Sequence, residues 1–112
     1  MRERGDKGEE MAGRVLQRAG YFILSNNYCV RGGEIDIIAR APDGTVVFVE
    51  VKLRAQEPED HRTLVPFRKL ARIRLAAKHY LLEYGPARVR FDLILLVPGA
   101  GKAKVFWYKD LS

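Results

Sequence analysis

Cysteine and histidine are scarce in this chain, which limits the metal sites it can build. Cys29 is the single cysteine, and His61 and His79 are the two histidines. One cysteine excludes an internal disulfide and a cysteine-based zinc site, and it fits a reducing compartment. Neither histidine has a partner at the spacing of a ligand pair. Any bound metal ion would therefore need oxygen ligands.

Long apolar segments are also missing. The longest apolar runs, such as LILLV at residues 93–97, are far too short to span a bilayer. The first thirteen residues are mostly charged and lack the apolar region of a signal peptide. We therefore expect a cytoplasmic protein with no membrane partner.

Acidic residues are outnumbered by basic ones. The chain of 112 residues has 20 Lys+Arg against 14 Asp+Glu, which gives a net charge of +6. Such a balance favours an anionic partner, although a basic charge also serves simple solubility. Residues 61–80 contain six Lys or Arg and no Asp or Glu. Because a solvated helix face usually mixes both signs, we expect this segment to contact phosphates.

Apolar periodicity predicts the order αβββαββ in one domain spanning residues 1–112. A helical pattern runs from about Asp6 to Arg18, and a second helix begins near Pro66 and ends at Gly85. Its apolar stripe consists of Leu70, Ile73, Ala77, Tyr80, Leu81 and Tyr84. Near-continuous apolar runs in the third and fourth strands imply a sheet covered on both faces. The predicted fold class is therefore α/β, a three-layer domain with a helix on each face of a central sheet of about five strands.

The second strand carries two acidic residues among its apolar ones. Strict alternation places Glu34 and Asp36 on one face with Ile38, and Ile35 and Ile37 on the other. Asp92, in the fourth strand, is interpreted as a structural cap or an edge charge.

The third strand holds a carboxylate and an ammonium group two residues apart. Glu50 and Lys52 share a face with Phe48. Asp36 lies seven residues before Asp43 in the turn and Glu50 seven after it, which is the symmetry of a cross-strand pair. Two neighbouring carboxylates repel each other unless a cation lies between them, and oxygen ligands favour Mg²⁺ or Mn²⁺. The alternative is a surface ion pair, which is common and worth little.

Four segments together resemble a known family. These are KGEEMAGRVLQRAGYFIL, GEIDII, VFVEVKLR and PFRKLARI. They resemble the YraN-like family of small bacterial proteins, within the PD-(D/E)XK nuclease-like superfamily, which is similar to archaeal Holliday-junction resolvases. The resemblance extends from about Gly5 to Leu96. It implies a restriction-endonuclease-like fold with a mixed sheet.

The resemblance also assigns roles to particular residues. It implies that Asp36 and Glu50 bind the metal ion and act in catalysis with Lys52. Resolvase relatives often add a glutamate from the first helix, which Glu9 or Glu10 could supply. On a helical wheel Glu9 flanks the apolar stripe and Glu10 points away from it, so we favour Glu9 as the third metal ligand. The alternative for Glu9 is a carboxylate that interacts with the helix dipole.

The predicted DNA contacts come from the basic residues near this site, namely Arg54, Arg68, Lys69 and Arg72. The resemblance places Lys69 where family members often have a lysine, within reach of the active site. The leading hypothesis is a Mg²⁺- or Mn²⁺-dependent endonuclease that hydrolyses DNA phosphodiesters, with selectivity for branched DNA. The alternatives are a non-catalytic or weakly active nucleic-acid-binding module on the same scaffold, and an interaction protein whose acidic cluster is structural. A chain this small covers little DNA, which makes a homodimer plausible.

Overall fold

The computed structural model describes residues 7–111, and the predicted order αβββαββ is confirmed. The elements are α1 (Lys7–Arg18), β1 (Phe22–Val30), β2 (Gly33–Arg40), β3 (Val46–Leu53), α2 (Phe67–Tyr84), β4 (Val89–Val97) and β5 (Lys104–Tyr108). A short 3₁₀ helix, His61–Leu64, precedes α2. Asp6, where the first helix was predicted to begin, lies outside the described residues. Over residues 7–111, no helix is both long and apolar enough to cross a bilayer.

The five strands form one mixed sheet in the order β1-β2-β3-β4-β5. Strands β1, β2 and β3 pair antiparallel, β3 and β4 pair parallel, and β4 and β5 pair antiparallel. The parallel pair is connected through α2, because strands that run in the same direction need a crossover connection. The sheet is therefore mixed, as expected.

The two helices cover opposite faces of the sheet, which gives three layers. Under α2 the core consists mainly of Ile35, Ile38, Val46, Phe48, Ile73, Ala76, Ala77, Tyr80, Leu93 and Leu95. Under α1 it consists mainly of Ala12, Leu16, Ile37, Ala39, Val47, Val49, Ile94 and Leu96. Strands β3 and β4 contribute to both cores, which explains their continuous apolar sequence.

The turn between β2 and β3 fixes the register of the hairpin. The Ala41 N–H donates to the Thr45 carbonyl oxygen at 2.8 Å, and the Thr45 N–H donates to Asp43 Oδ1 at 2.9 Å. The ladder ends with Ile37 opposite Val49. Extending this register by one residue places position 36 opposite position 50, as the spacing around Asp43 predicts.

Two details of the predicted apolar pattern are wrong. Ile35 packs under α2 and Ile37 packs under α1, so these side chains lie on opposite faces and the alternation breaks at Asp36. Tyr84 was expected in the buried stripe of α2, but its side chain is 64% exposed because the last turn extends beyond the core.

Asp92 is a buried centre of hydrogen bonds rather than a cap or an edge charge. Its side chain is fully buried, and it accepts hydrogen bonds from the Arg90 guanidinium, Trp107 Nε1 and the Asp110 N–H at 2.9–3.0 Å. Arg90 also donates to the Tyr21 hydroxyl at 2.7 Å. This network joins β4 and β5 to Tyr21, in the loop between α1 and β1. Asp92 is therefore structural, as predicted, but it is buried within the fold and does not lie at an edge or a cap.

Candidate active site

Asp36 and Glu50 lie side by side where the β2–β3 ladder ends. Each residue is only 3% exposed. The Val51 N–H donates to Asp36 Oδ2 at 2.8 Å, so the Asp36 carboxylate replaces a backbone acceptor at this point of the sheet. Two carboxylates are thereby held on adjacent strands within one buried region.

Two lysines contact the Glu50 carboxylate. Lys52 Nζ lies 3.3 Å from Glu50 Oε2, and Lys69 Nζ lies 3.4 Å from the same oxygen. Lys69 Nζ is also 3.8 Å from Glu34 Oε2. The structure therefore brings together four predicted site residues and adds Glu34. The four are Asp36, Glu50, Lys52 and, from α2, Lys69.

The pKa of Glu50 reflects this crowding. Burial and, to a smaller extent, the negative charge of Asp36 together raise the pKa of Glu50 from 4.5 to about 7, although Lys69 and Lys52 oppose the shift. A carboxylate with a raised pKa gains from a nearby cation, because a positive charge favours its ionised form. The pair thus has the electrostatics of a cation site.

Gly33 allows α2 to approach the sheet closely enough for the Lys69 contact. A methyl group at position 33 would collide with the carbonyl oxygen of Arg72 and press against Ala76. Glycine, which has no Cβ, is therefore required where β2 begins. The close approach sets the first two turns of α2 over Glu34 and Glu50.

The choice of Glu9 over Glu10 on the helical wheel agrees with their burial. Glu9 is 6% exposed and faces the sheet, whereas Glu10 is exposed. A cavity of about 420 Å³ beside the site is lined by Glu9, Val51, Lys52 and Arg54, among others. Glu9 therefore lies near the predicted site, on the side of α1.

In the part of the chain that the structure describes, side chains alone do not assemble a complete set of three metal ligands. Across residues 7–111, no three His, Cys, Asp or Glu side chains are grouped closely enough to hold a metal ion. Asp36 and Glu50 fit a hard divalent cation because both are buried carboxylates whose negative charges repel each other. The remaining ligands would be water or phosphate oxygens, as is usual for Mg²⁺. The ligand role of Glu9 stays a prediction.

The other predicted DNA contacts lie close in sequence to the residues of the site. Arg54, Arg68 and Arg72 are exposed, and the Arg54 guanidinium donates to the Leu53 carbonyl oxygen at 2.9 Å. Arg68 and Arg72 lie one turn apart on α2, next to Lys69. Their role in binding stays a prediction.

Sequence reasoning missed two features of this region. Glu34 was noted only for its strand face, and its contact with Lys69 depends on how α2 is placed. Asn27 has a positive φ of 57° at the β1 position that faces Asp36, between the pairs Asn26–Ile37 and Tyr28–Ile35. Asparagine is depleted in strands, so the Asn26-Asn27 pair was an available signal of irregular backbone.

Sequence comparison places the chain in a family. The model of the family described as "Uncharacterised protein family UPF0102" matches residues 8–96. The chain belongs to this family. A UPF0102 protein of Albidiferax ferrireducens is 45% identical over 103 residues, which cover 88% of this chain and 80% of the relative. Another, from a Polaromonas species, is 41% identical over 110 residues, covering 93% and 73%.

The fold of this UPF0102 protein is that of the restriction-endonuclease-like nucleases. A repair endonuclease from Pyrococcus abyssi superposes on 90% of the chain with a TM-score of 0.50 at 18% sequence identity. The UPF0102 chain spans 42% of the length of that endonuclease. UPF0102 is the YraN family, so the predicted family is confirmed, and the predicted fold class is confirmed as well.

Proposed function

We propose that this protein is a metal-dependent endonuclease that hydrolyses phosphodiester bonds in DNA and prefers branched DNA. The proposal rests mainly on one observation, the convergence of Asp36, Glu50 and Lys52 at the end of a hairpin in a nuclease-like fold. Structural similarity to a repair endonuclease supports it. The preference for branched DNA rests on the resemblance to Holliday-junction resolvases.

Each residue has a specific role in the proposed reaction. Asp36 and Glu50 would hold Mg²⁺ or Mn²⁺, which when bound polarises a phosphate oxygen and lowers the pKa of a bound water. Lys52 offsets negative charge that develops on the phosphate in the transition state. Glu9 orients water molecules from the side of α1. Arg54, Arg68 and Arg72 hold the phosphate backbone beside the site.

The test is a cleavage assay on a four-way junction, a linear duplex and a single strand that share one sequence. Each substrate is incubated with Mg²⁺, with Mn²⁺ or with a chelator. We expect metal-dependent cleavage that is fastest on the junction and falls by about 100-fold or more in Asp36→Asn and Lys52→Ala. Arg88→Ala is the matched control, because Arg88 is exposed and pairs with Asp43 at 3.6 Å, away from the site.

A second candidate is a DNA-binding module without turnover. The two lysines that neutralise Glu50, and the lack of three grouped ligand side chains among the described residues, favour this alternative. It predicts salt-sensitive binding to DNA, no cleavage with either metal ion, and binding that survives Asp36→Asn. Cleavage that is unchanged in Asp36→Asn would show that the proposed site does not carry out the reaction. The proposal that this protein is a nuclease acting through that site would then be rejected.

A further inference from the structure

An apolar groove lies between α2 and β4, separate from the candidate active site. It has a volume of about 410 Å³, within the usual range of ligand pockets. We call it the α2–β4 groove, and its main lining residues are Arg74, Lys78, Leu81, Leu82, Pro86 and Phe91. Leu82 is 78% exposed, so the groove presents a large apolar side chain to the solvent.

The charged side chains of this groove have one sign. Arg74 and Lys78 are its two charged lining residues, and the Arg74 guanidinium lies 5.9 Å from the centre of the Phe91 ring. Among residues 7–111, no carboxylate forms an ion pair with Arg74 or Lys78. The groove therefore combines an apolar floor with two cations that a negatively charged ligand would complement.

The groove lies on the opposite flank of α2 from the predicted DNA contacts. At about 100° per residue, Arg74 and Lys78 point to one flank of the helix, and Arg68 and Arg72 point to the other. The basic run at residues 61–80 is thus two separate basic surfaces. DNA that follows the Arg68–Arg72 flank leaves the groove open, and an apolar floor does not suit phosphate groups.

We propose that the α2–β4 groove binds a segment of a partner protein that carries large apolar side chains between carboxylates. The apolar side chains would cover Leu82 and Phe91, and the carboxylates would pair with Arg74 and Lys78. Groove recognition of this kind is a common mode of peptide binding. The inference does not depend on the proposed nuclease activity.

A second copy of this chain fits the groove less well. A symmetric interface brings the same patch of both copies together, so the positive charges of Arg74 and Lys78 would face a patch of the same sign. Among the described residues, no carboxylate lines the groove to offset that repulsion, and Glu83 of α2 accepts a hydrogen bond from the Tyr28 hydroxyl instead. Charge complementarity therefore favours an acidic partner segment over self-association.

The experiment uses fluorescence anisotropy with a labelled short peptide that contains two phenylalanines flanked by aspartates. One matched peptide has serine in place of phenylalanine, and another has lysine in place of aspartate. The protein variants are Lys78→Glu and Leu82→Ser. Their controls are Arg72→Glu, on the opposite flank of α2, and Leu75→Ser, which is partly exposed at 39% and lies outside the groove lining.

We expect the aspartate–phenylalanine peptide to bind and both matched peptides to bind at least about tenfold more weakly. Lys78→Glu and Leu82→Ser should each weaken binding about tenfold, and the two controls should leave it unchanged. No binding, equal binding of the serine peptide, or an equal loss in Arg72→Glu would overturn the proposal. So would a dimer in sedimentation that Leu82→Ser dissociates and Leu75→Ser does not, because the groove would then be occupied by a second copy.

Discussion

Lys69 Nζ lies 3.4 Å from Glu50 Oε2, so a lysine of α2 contacts a buried carboxylate of β3. The same oxygen is 3.3 Å from Lys52 Nζ. The two lysines differ in origin, since Lys52 is on the same strand as Glu50 and Lys69 comes from the layer above the sheet. Their positive charges partly offset the repulsion between Glu50 and Asp36.

Replacing Lys69 with methionine should strengthen the binding of a divalent cation. Methionine keeps much of the length of the side chain and removes a positive charge that repels the cation. We expect the affinity for Mn²⁺, measured by titration calorimetry at about pH 8, to rise several-fold, and to change little in the matched variant Arg72→Met. Weaker binding in Lys69→Met would mean that Lys69 assembles the ligands instead of competing with the cation.

Two substitutions of Asp36 separate its charge from its hydrogen bond. Asparagine keeps an oxygen that can accept from the Val51 N–H, whereas alanine leaves this partly buried donor without its acceptor. Because both substitutions remove the charge, we expect Asp36→Ala to be less stable than Asp36→Asn by about 1–3 kcal/mol in urea unfolding. Equal stabilities would contradict a role for Asp36 in holding the end of the ladder.

The raised pKa of Glu50 should make the stability of the fold depend on pH. In the folded protein Glu50 keeps its proton up to about pH 7, whereas the unfolded chain releases it near 4.5. The free energy of unfolding should therefore fall as the pH rises between these values, by an amount on the order of 3 kcal/mol, and level off above the folded pKa.

Glu50→Gln should remove that slope. Urea unfolding of the wild type and the variant, from about pH 4 to about pH 8, measures the difference between their pH profiles. Glu59→Gln, at an exposed loop position, is the control and should follow the wild type. A Glu50→Gln profile with the wild-type slope would contradict the raised pKa.

Asp92 should affect the stability of the fold and not the proposed cleavage of DNA. Asp92→Asn places an amide nitrogen among three donors, the Arg90 guanidinium, Trp107 Nε1 and the Asp110 N–H. We expect it to destabilise the protein by roughly 3 kcal/mol, because Arg90 loses its buried counter-charge. Asp43→Asn, at an exposed position, should cost less than about 1 kcal/mol. An Asp92→Asn protein with the wild-type free energy of unfolding would contradict a stabilising role for this network.

Arg68 and Arg72 should contribute to DNA binding only through contacts with the phosphate backbone. Arg68→Ala and Arg72→Ala should weaken DNA binding equally for all sequences and reduce the slope of log affinity against log salt by about 1 each. Lys78→Ala, on the other flank of α2, should leave the slope unchanged. Anisotropy titrations at several salt concentrations measure it, and a change confined to certain sequences would argue for base contacts instead.

The sequence by itself determined the features that follow from local periodicity. The order of the elements, the hairpin register that places position 36 opposite position 50, and the inward orientation of Glu9 rather than Glu10 all depend on residues close together in the chain. Helical and strand periods fix which way a side chain points relative to its neighbours. Such predictions therefore succeeded without knowledge of the tertiary structure.

Only the tertiary structure decided how distant elements meet. The break in alternation between Ile35 and Ile37, the burial of Asp92 and the contact of Lys69 with Glu50 depend on backbone irregularities and on the distance between layers. Gly33 shows the reason most directly, because its lack of a side chain lets α2 come close to the sheet. Periodicity gives the direction of a side chain, whereas packing between layers sets the distances on which electrostatic interactions depend.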